Sequence, residues 1–212
     1  MSQVKQNIRI RFSEEGDIRF ISHHDLMRLF ERALRRAALP LAMSEGFNPR
    51  PRMSFPAALS VGHTGRNEVA DFGLAEWIRP EEFAARLAPE LPDGVSVLSV
   101  EITGPHPTRQ PKEVSYLVPL LPDHRVTEQT IHELLAKEQA TVTRLRKGQE
   151  GRIEIRRFVK ALRLEGDSVR MLLAWGDGGT AKPEEVLEAL GCQEGVDYAQ
   201  SAIERTHVNL SG

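Results

Sequence analysis

Residues 7–38 read NIRIRFSEEGDIRFISHHDLMRLFERALRRAA, and the spacing of their apolar side chains changes period partway along. From Asn7 to Ser13, Ile8, Ile10 and Phe12 alternate with Arg9 and Arg11, the period-two pattern of a half-buried strand. Glu14-Glu15-Gly16-Asp17 supplies a turn, and Ile18 to Ile21 resumes the apolar pattern. Ser22 stands as an N-cap with Asp25 three residues later, which predicts a helix from about His23 to Ala38, stopped by Pro40. Leu26, Phe30, Ala33, Leu34 and Ala37 cover one side of that helix. Arg28, Arg32, Arg35 and Arg36 gather within about 100° on another.

The next stretch, Ser44-Glu-Gly-Phe-Asn-Pro-Arg-Pro-Arg-Met-Ser-Phe55, is rich in proline and arginine. Residues before proline avoid the helical region, so Asn48 and Arg50 are extended and the loop is stiff. Glu68 to Glu76 alternates as a strand, Pro80 opens a short helix over Glu81 to Ala88, and Gly94 to Ile102 reads as a further strand. Gly104 to Lys112 holds three prolines in nine residues without periodicity, the composition of a linker. Beyond it the order repeats. A strand at Val114 to Leu121 precedes a helix over Thr127 to Glu138, with Thr127 as its cap. Strands follow at Val142 to Arg146, Arg152 to Leu164 (bent or shared) and Ser168 to Trp175. A helix after Pro183 runs to about Leu190, and a last strand lies near Tyr198 to Val208. The expected fold class is α+β, two tandem ferredoxin-like (βαββαβ) subdomains at residues 1–103 and 114–212 about a linker at 104–113. The halves share element order, not sequence identity.

Across 212 residues, 28 Lys+Arg stand against 30 Asp+Glu, and the charge is unevenly spread. Residues 1–60 hold ten basic and six acidic side chains, and residues 144–163 hold eight basic and two acidic. From Leu164 onward three basic residues face nine acids. Two basic segments in a nearly neutral chain present a basic surface if folding exposes them on one side, and are ordinary solvated faces otherwise. No apolar run approaches the roughly 20 residues of a membrane helix. Met1 to Asn7 is polar, so the expectation is a cytoplasmic chain away from membranes. The one cysteine, Cys192, permits no internal disulfide and no cluster of its own. No P-loop, dinucleotide fingerprint or nucleophile elbow occurs.

The segment from Arg19 to Gly62, with FISHHDLMRLFERALRRAALP followed by SEGFNPRPRMSFPAALSVG, resembles an uncharacterised family of radical-SAM-linked proteins, found alone or fused behind a cobalamin-binding radical-SAM protein. The resemblance is densest from Phe12 to Asp71. His24, in the His-His pair, and Arg50, in the Asn-Pro-X-Pro loop, depart from the family's usual residues. The resemblance implies a radical-SAM partner and a setting of RNA and ribosome metabolism. The iron–sulfur cluster, S-adenosylmethionine and cobalamin would belong to that partner, since such a cluster needs three cysteines and this chain has one.

Two sets of residues carry candidate chemistry. His23, His24 and Asp25 stand at a helix start, where an imidazole can act as general base, or where the trio simply caps and packs the helix. Adjacent histidines on a helix diverge by about 100°, so they do not chelate one ion, and no metal is expected. Arg28, Arg32, Arg35 and Arg36, with Arg50 and Arg52 projecting to one side of the extended loop, offer donor forks suited to phosphate oxygens. Asn48 and Ser54 can add polar contacts. Phe47 and Phe55 either stack on bases or anchor the loop. The expected function is a non-catalytic accessory module that binds RNA or a ribonucleoprotein and presents it to a radical-SAM enzyme. A metal-independent endoribonuclease using His23 or His24, and a protein-interaction subunit docking an acidic partner, remain open beside it.

Overall fold

A computed structural model describes residues 3–104, 110–122, 124–146, 149–176, 179–192 and 203–210. The chain divides into two compact units, residues 1–110 with 211–212 and residues 111–210. Both mix α and β elements.

The first unit runs β1 (Gln6–Glu14), α1 (His23–Arg36), β2 (Met53–Ser54), β3 (Thr64–Leu74), α2 (Pro80–Leu87) and β4 (Val95–Thr103). Its sheet order is β4-β1-β3-β2 with antiparallel neighbours throughout. Ile8, Ile10 and Phe12 of β1 and Ala70, Phe72 and Leu74 of β3 form one buried face, covered by Leu26, Phe30, Ala33 and Leu34 of α1 and by Phe83 and Leu87 of α2. The period-two and period-3.6 patterns of the sequence meet here, each on the face it predicted. Ile18 to Phe20 is not extended: Gly16–Phe20 forms a 3-10 turn, and the backbone is extended again at Ile21. This turn is docked on Gly94, whose carbonyl accepts from Glu15 N–H at 2.9 Å. Gly94 sits at φ 90°, and a Cβ there would lie 2.5 Å from the Glu15 carbonyl oxygen, so only glycine admits the contact.

On the other face of this sheet, Ser54, Asp71, Arg9 and Glu101 lie in one register row across β2, β3, β1 and β4. Arg9 donates to both carboxylate oxygens of Asp71, at 2.7 and 3.1 Å, and both residues are buried. Burial pushes the Asp71 carboxyl up, against the opposing pull of Arg9.

The second unit runs β5 (Pro111–Pro119), α3 (Glu128–Ala136), β6 (Thr141–Arg146), β7 (Gln149–Glu154), β8 (Val159–Glu165), β9 (Ser168–Ala174), α4 (Pro183–Ala189) and β10 (Glu204–Leu210). Its sheet order is β10-β5-β9-β8, again antiparallel, and β6 and β7 pair as a separate hairpin. In each unit the main-sheet strands, numbered along the chain, therefore lie in the order fourth, first, third, second. Thr127 caps α3 with a reciprocal pair of hydrogen bonds to Thr130.

Several boundaries differ from the sequence reading: the stretch expected as loop before Phe55 contains strand β2, and β3 begins at Thr64 rather than Glu68. The expected linker at 104–113 ends in strand, because β5 begins at Pro111, a first-strand position where no N–H is needed. Residues 105–109 of that linker lie outside the described residues. The run from Arg152 to Leu164 is two strands separated by a 3-10 turn at Arg156–Phe158. The Glu154 carboxylate accepts from the backbone N–H groups of Ala140, Arg156 and Arg157, which ends β7. β10 begins at Glu204, and 193–202, where the start of the last strand was expected, lies outside the described residues.

The Arg9–Asp71 pair yields a direct test. Asp71→Ala strips a buried guanidinium of its bidentate carboxylate and is expected to cost about 3–5 kcal/mol, whereas Arg9→Met with Asp71→Leu costs far less. Denaturant unfolding of wild type and the two variants checks this. Equal losses in the single and double variants would contradict it.

Candidate functional site

Helix α1 organises the candidate site because its buried stripe leaves the opposite side outward. Phe30, 0% exposed, lies 5.0 Å from Phe12, 5.3 Å from Phe55 and 6.1 Å from Phe72 between ring centroids. The helix start is tied down by Ser22, whose hydroxyl oxygen accepts from Asp25 N–H at 3.2 Å while its O–H donates to the Asp25 carboxylate at 2.7 Å. That hydroxyl, with Arg28 at 3.3 Å, holds the Asp25 carboxyl below its ordinary range.

The two histidines have different surroundings. The His23 ring is half-buried and packs edge-on against Phe55, with centroids 6.0 Å apart at 89°. His24 is exposed, its centroid 6.2 Å from that of His23. His24 lines a groove of about 270 Å3 with Met27, Arg28, Glu31, Arg50, Pro51 and Met53.

The four arginines also separate. Arg35 is paired with Glu31 at 2.7 Å, one turn back on the same helix. Arg36 donates to the Glu90 carboxylate at 2.7 Å and also to the Glu90 carbonyl. Arg28 pairs loosely with Asp25, and Arg32 is exposed with no ion pair among the described residues. Arg28, Arg32 and Arg36 lie one helical turn apart along one wall of a second groove of about 620 Å3. Ile21, Leu29, Leu91 and two prolines line that groove with apolar surface, and the carboxylates of Asp25 and Glu90 line it too. Leu91 and the prolines, Pro89 and Pro92, were not among the residues expected from sequence. They come from the segment after α2, and nothing in their spacing relates them to α1.

The proline loop is held by its backbone. Met43 and Pro51 form an antiparallel bridge, Ser44 Oγ accepts from Arg50 N–H at 3.0 Å, and Arg52 N–H donates to the Ala42 carbonyl at 2.8 Å. Arg50 reaches the His24 groove. Arg52 lies over Gly73, where a Cβ would come within 3.2 Å of the Arg52 Cβ, and it does not line that groove. Of the two loop arginines, only Arg50 thus lines this groove. Ser54 is half-buried in β2 opposite Asp71, and Asn48 is exposed at the loop tip. The two phenylalanines part company: Phe55 anchors the loop in the aromatic cluster, whereas Phe47 stands fully in solvent.

The second basic segment is partly committed to internal structure. Arg144 donates to both Glu185 carboxylate oxygens, at 2.5 and 2.6 Å, and Arg156 donates to the carbonyls of Leu135 and Val159. Burial pushes the Cys192 thiol up, the reverse of an activated nucleophile. Among the described residues no group of three or more His, Cys, Asp or Glu is placed to hold a metal ion, and no helix is long and apolar enough to cross a membrane.

A family described as "Uncharacterized protein conserved in bacteria (DUF2344)" matches residues 7–183. No curated protein matches. Among solved structures the chain is similar to one from "Crystal Structure of a Cbf5-Nop10-Gar1 Complex", at 11% identity and a TM-score of 0.47, over 95% of this chain and 48% of that one. The chain thus spans about half the length of that protein.

The Ser22–Asp25 contact sets a pH signature. In Ser22→Ala the Asp25 carboxyl is expected to titrate closer to the ordinary aspartate value, as read by carbon-detected NMR. A depressed carboxylate stabilises the fold above its unfolded pKa and loses that contribution as pH falls through its folded value. The gap in melting temperature between wild type and Ser22→Ala therefore narrows at acid pH, and a gap unchanged down to pH 2 would refute the assignment.

Proposed function

We propose that this chain, which belongs to the bacterial family described as uncharacterized (DUF2344), is a non-catalytic RNA-binding module acting beside a radical-SAM enzyme. The observation that carries the reading is the outer side of α1: Arg28, Arg32 and Arg36 line a partly apolar groove, and Arg28 and Arg50 line a second one beside it. Guanidinium forks next to apolar surface suit a strand that offers phosphates and stacking faces together. The exposed Phe47 at the tip of the proline loop adds one such stacking platform. Each unit is read as a ferredoxin-like βαββαβ domain, supported by the shared fourth-first-third-second strand order, with the β6–β7 hairpin as an insertion in the second. The radical-SAM partner rests on the resemblance of the Arg19–Gly62 segment. The iron–sulfur cluster, S-adenosylmethionine and cobalamin are assigned to that partner.

Binding of a single-stranded RNA is expected to weaken steeply with salt. If four phosphates are neutralised, log affinity falls against log salt with a slope of about −3. Arg32→Ala is expected to reduce that slope by about 0.7 and leave thermal stability unchanged, since Arg32 supports nothing internally. The combined alanine variant of Arg28, Arg32, Arg35 and Arg36 is expected to abolish binding. RNA recovered from the same mixtures is expected to run intact on a denaturing gel. Cleavage that disappears in His23→Ala or His24→Ala would overturn the non-catalytic reading in favour of the endoribonuclease, and affinity unchanged in the four-arginine variant would overturn the placement of the surface.

A further inference from the structure

The smaller of the two grooves differs in kind from the larger. His24 and Arg28 are one turn apart on α1, so their side chains emerge on the same face. Arg50 approaches that face from a separate element, carried there by the Met43–Pro51 bridge and the Ser44 hydrogen bond. The Arg50 guanidinium has no hydrogen-bond or ion-pair partner among the described residues. The groove volume is about 270 Å3, against about 620 Å3 for the neighbour along Arg28, Arg32 and Arg36. Donors that converge from two elements on a small concavity suit one compact anion. Donors strung along a helix suit a chain of them.

We propose that the His24–Arg28–Arg50 groove receives a terminal phosphate monoester of RNA. The proposal rests on the RNA reading above and deepens it. A monoester carries about −1.5 to −2 charge and three acceptor oxygens, where an internal diester has a single charge. Two guanidiniums and an imidazole match that demand, since each arginine presents five N–H donors in a planar fork and the imidazole adds another. Arg28 spends one weak contact, 3.3 Å, on Asp25 and keeps the rest of its fork available. Glu31, the acid on the groove wall, is held by Arg35 at 2.7 Å, which offsets its charge. Met27, Pro51 and Met53 supply apolar surface against which the terminal nucleoside packs. Arg28 lines both grooves, so a strand whose end sits at His24 and Arg50 continues past Arg28 toward Arg32 and Arg36.

The test compares one short single-stranded RNA in three forms, with a 5′-phosphate, with a 3′-phosphate and with hydroxyls at both ends, titrated against the full chain at one salt concentration. One phosphorylated form is expected to bind about tenfold more tightly than the hydroxyl form, and which one identifies the end that is read. Arg50→Ala is expected to erase that advantage and His24→Ala to reduce it. In Arg32→Ala all three forms weaken together and the advantage persists. Equal affinities for the three forms, with binding intact, would overturn the terminal-phosphate site and leave the RNA reading standing. A phosphate advantage that survives Arg50→Ala would overturn the placement. Absence of binding by all three forms at low salt would overturn the RNA reading and this inference together.

Discussion

Phe30 touches three other aromatic rings, from β1, from β3 and from the proline loop, and this contact fixes how α1 lies on its sheet. Once that stripe is buried, helical geometry leaves little choice about the rest. The arginines and His24 must face outward, because they occupy the angular sector opposite Leu26, Phe30, Ala33 and Leu34. Phe55 belongs to the same cluster, so the core that orients the helix also anchors the loop bearing Arg50. The relation between His24, Arg28 and Arg50 thus follows from apolar packing rather than from attraction among the polar groups, which carry mostly like charge.

Charge in this protein is divided between internal and outward duties, and composition alone does not separate them. Arg9 is consumed by Asp71 inside the first unit and Arg144 by Glu185 inside the second. In both cases a bidentate fork compensates a carboxylate withdrawn from water, which a lone charge would not tolerate. Arg35 and Arg36 have carboxylate partners at 2.7 Å in exposed positions, where such pairs are worth little and can be exchanged for a ligand. The guanidiniums of Arg32 and Arg50 have no ion-pair partner among the described residues. The outward basic character of residues 1–60 is therefore narrower than their ten basic side chains suggest, and it is concentrated where the two grooves meet at Arg28.

Much of this was legible in the chain. Alternation at Ile8, Ile10 and Phe12, the Ser22 cap, the apolar stripe of α1, Pro80 at a helix start and the Thr127 cap are local signals, each decided by side chains within a few residues of one another. The same locality explains the misreadings. The 3-10 turn at Gly16–Phe20 depends on Gly94, far along the chain, and the break after β7 depends on which backbone groups the Glu154 carboxylate reaches. Membership of the site divides in the same way. The arginine face was visible as a helical period. That Phe55 anchors while Phe47 protrudes, that Arg50 joins His24 while Arg52 does not, and that Leu91 and its neighbouring prolines line the larger groove were not visible. Periodicity and capping act over a turn or two of chain, so most of the helices and strands, their buried stripes and the arginine-rich side of α1 could be read from residue order. Which charges are spent inside and which distant residues share a groove depend on contacts between residues far apart in the chain, set by how the apolar faces close.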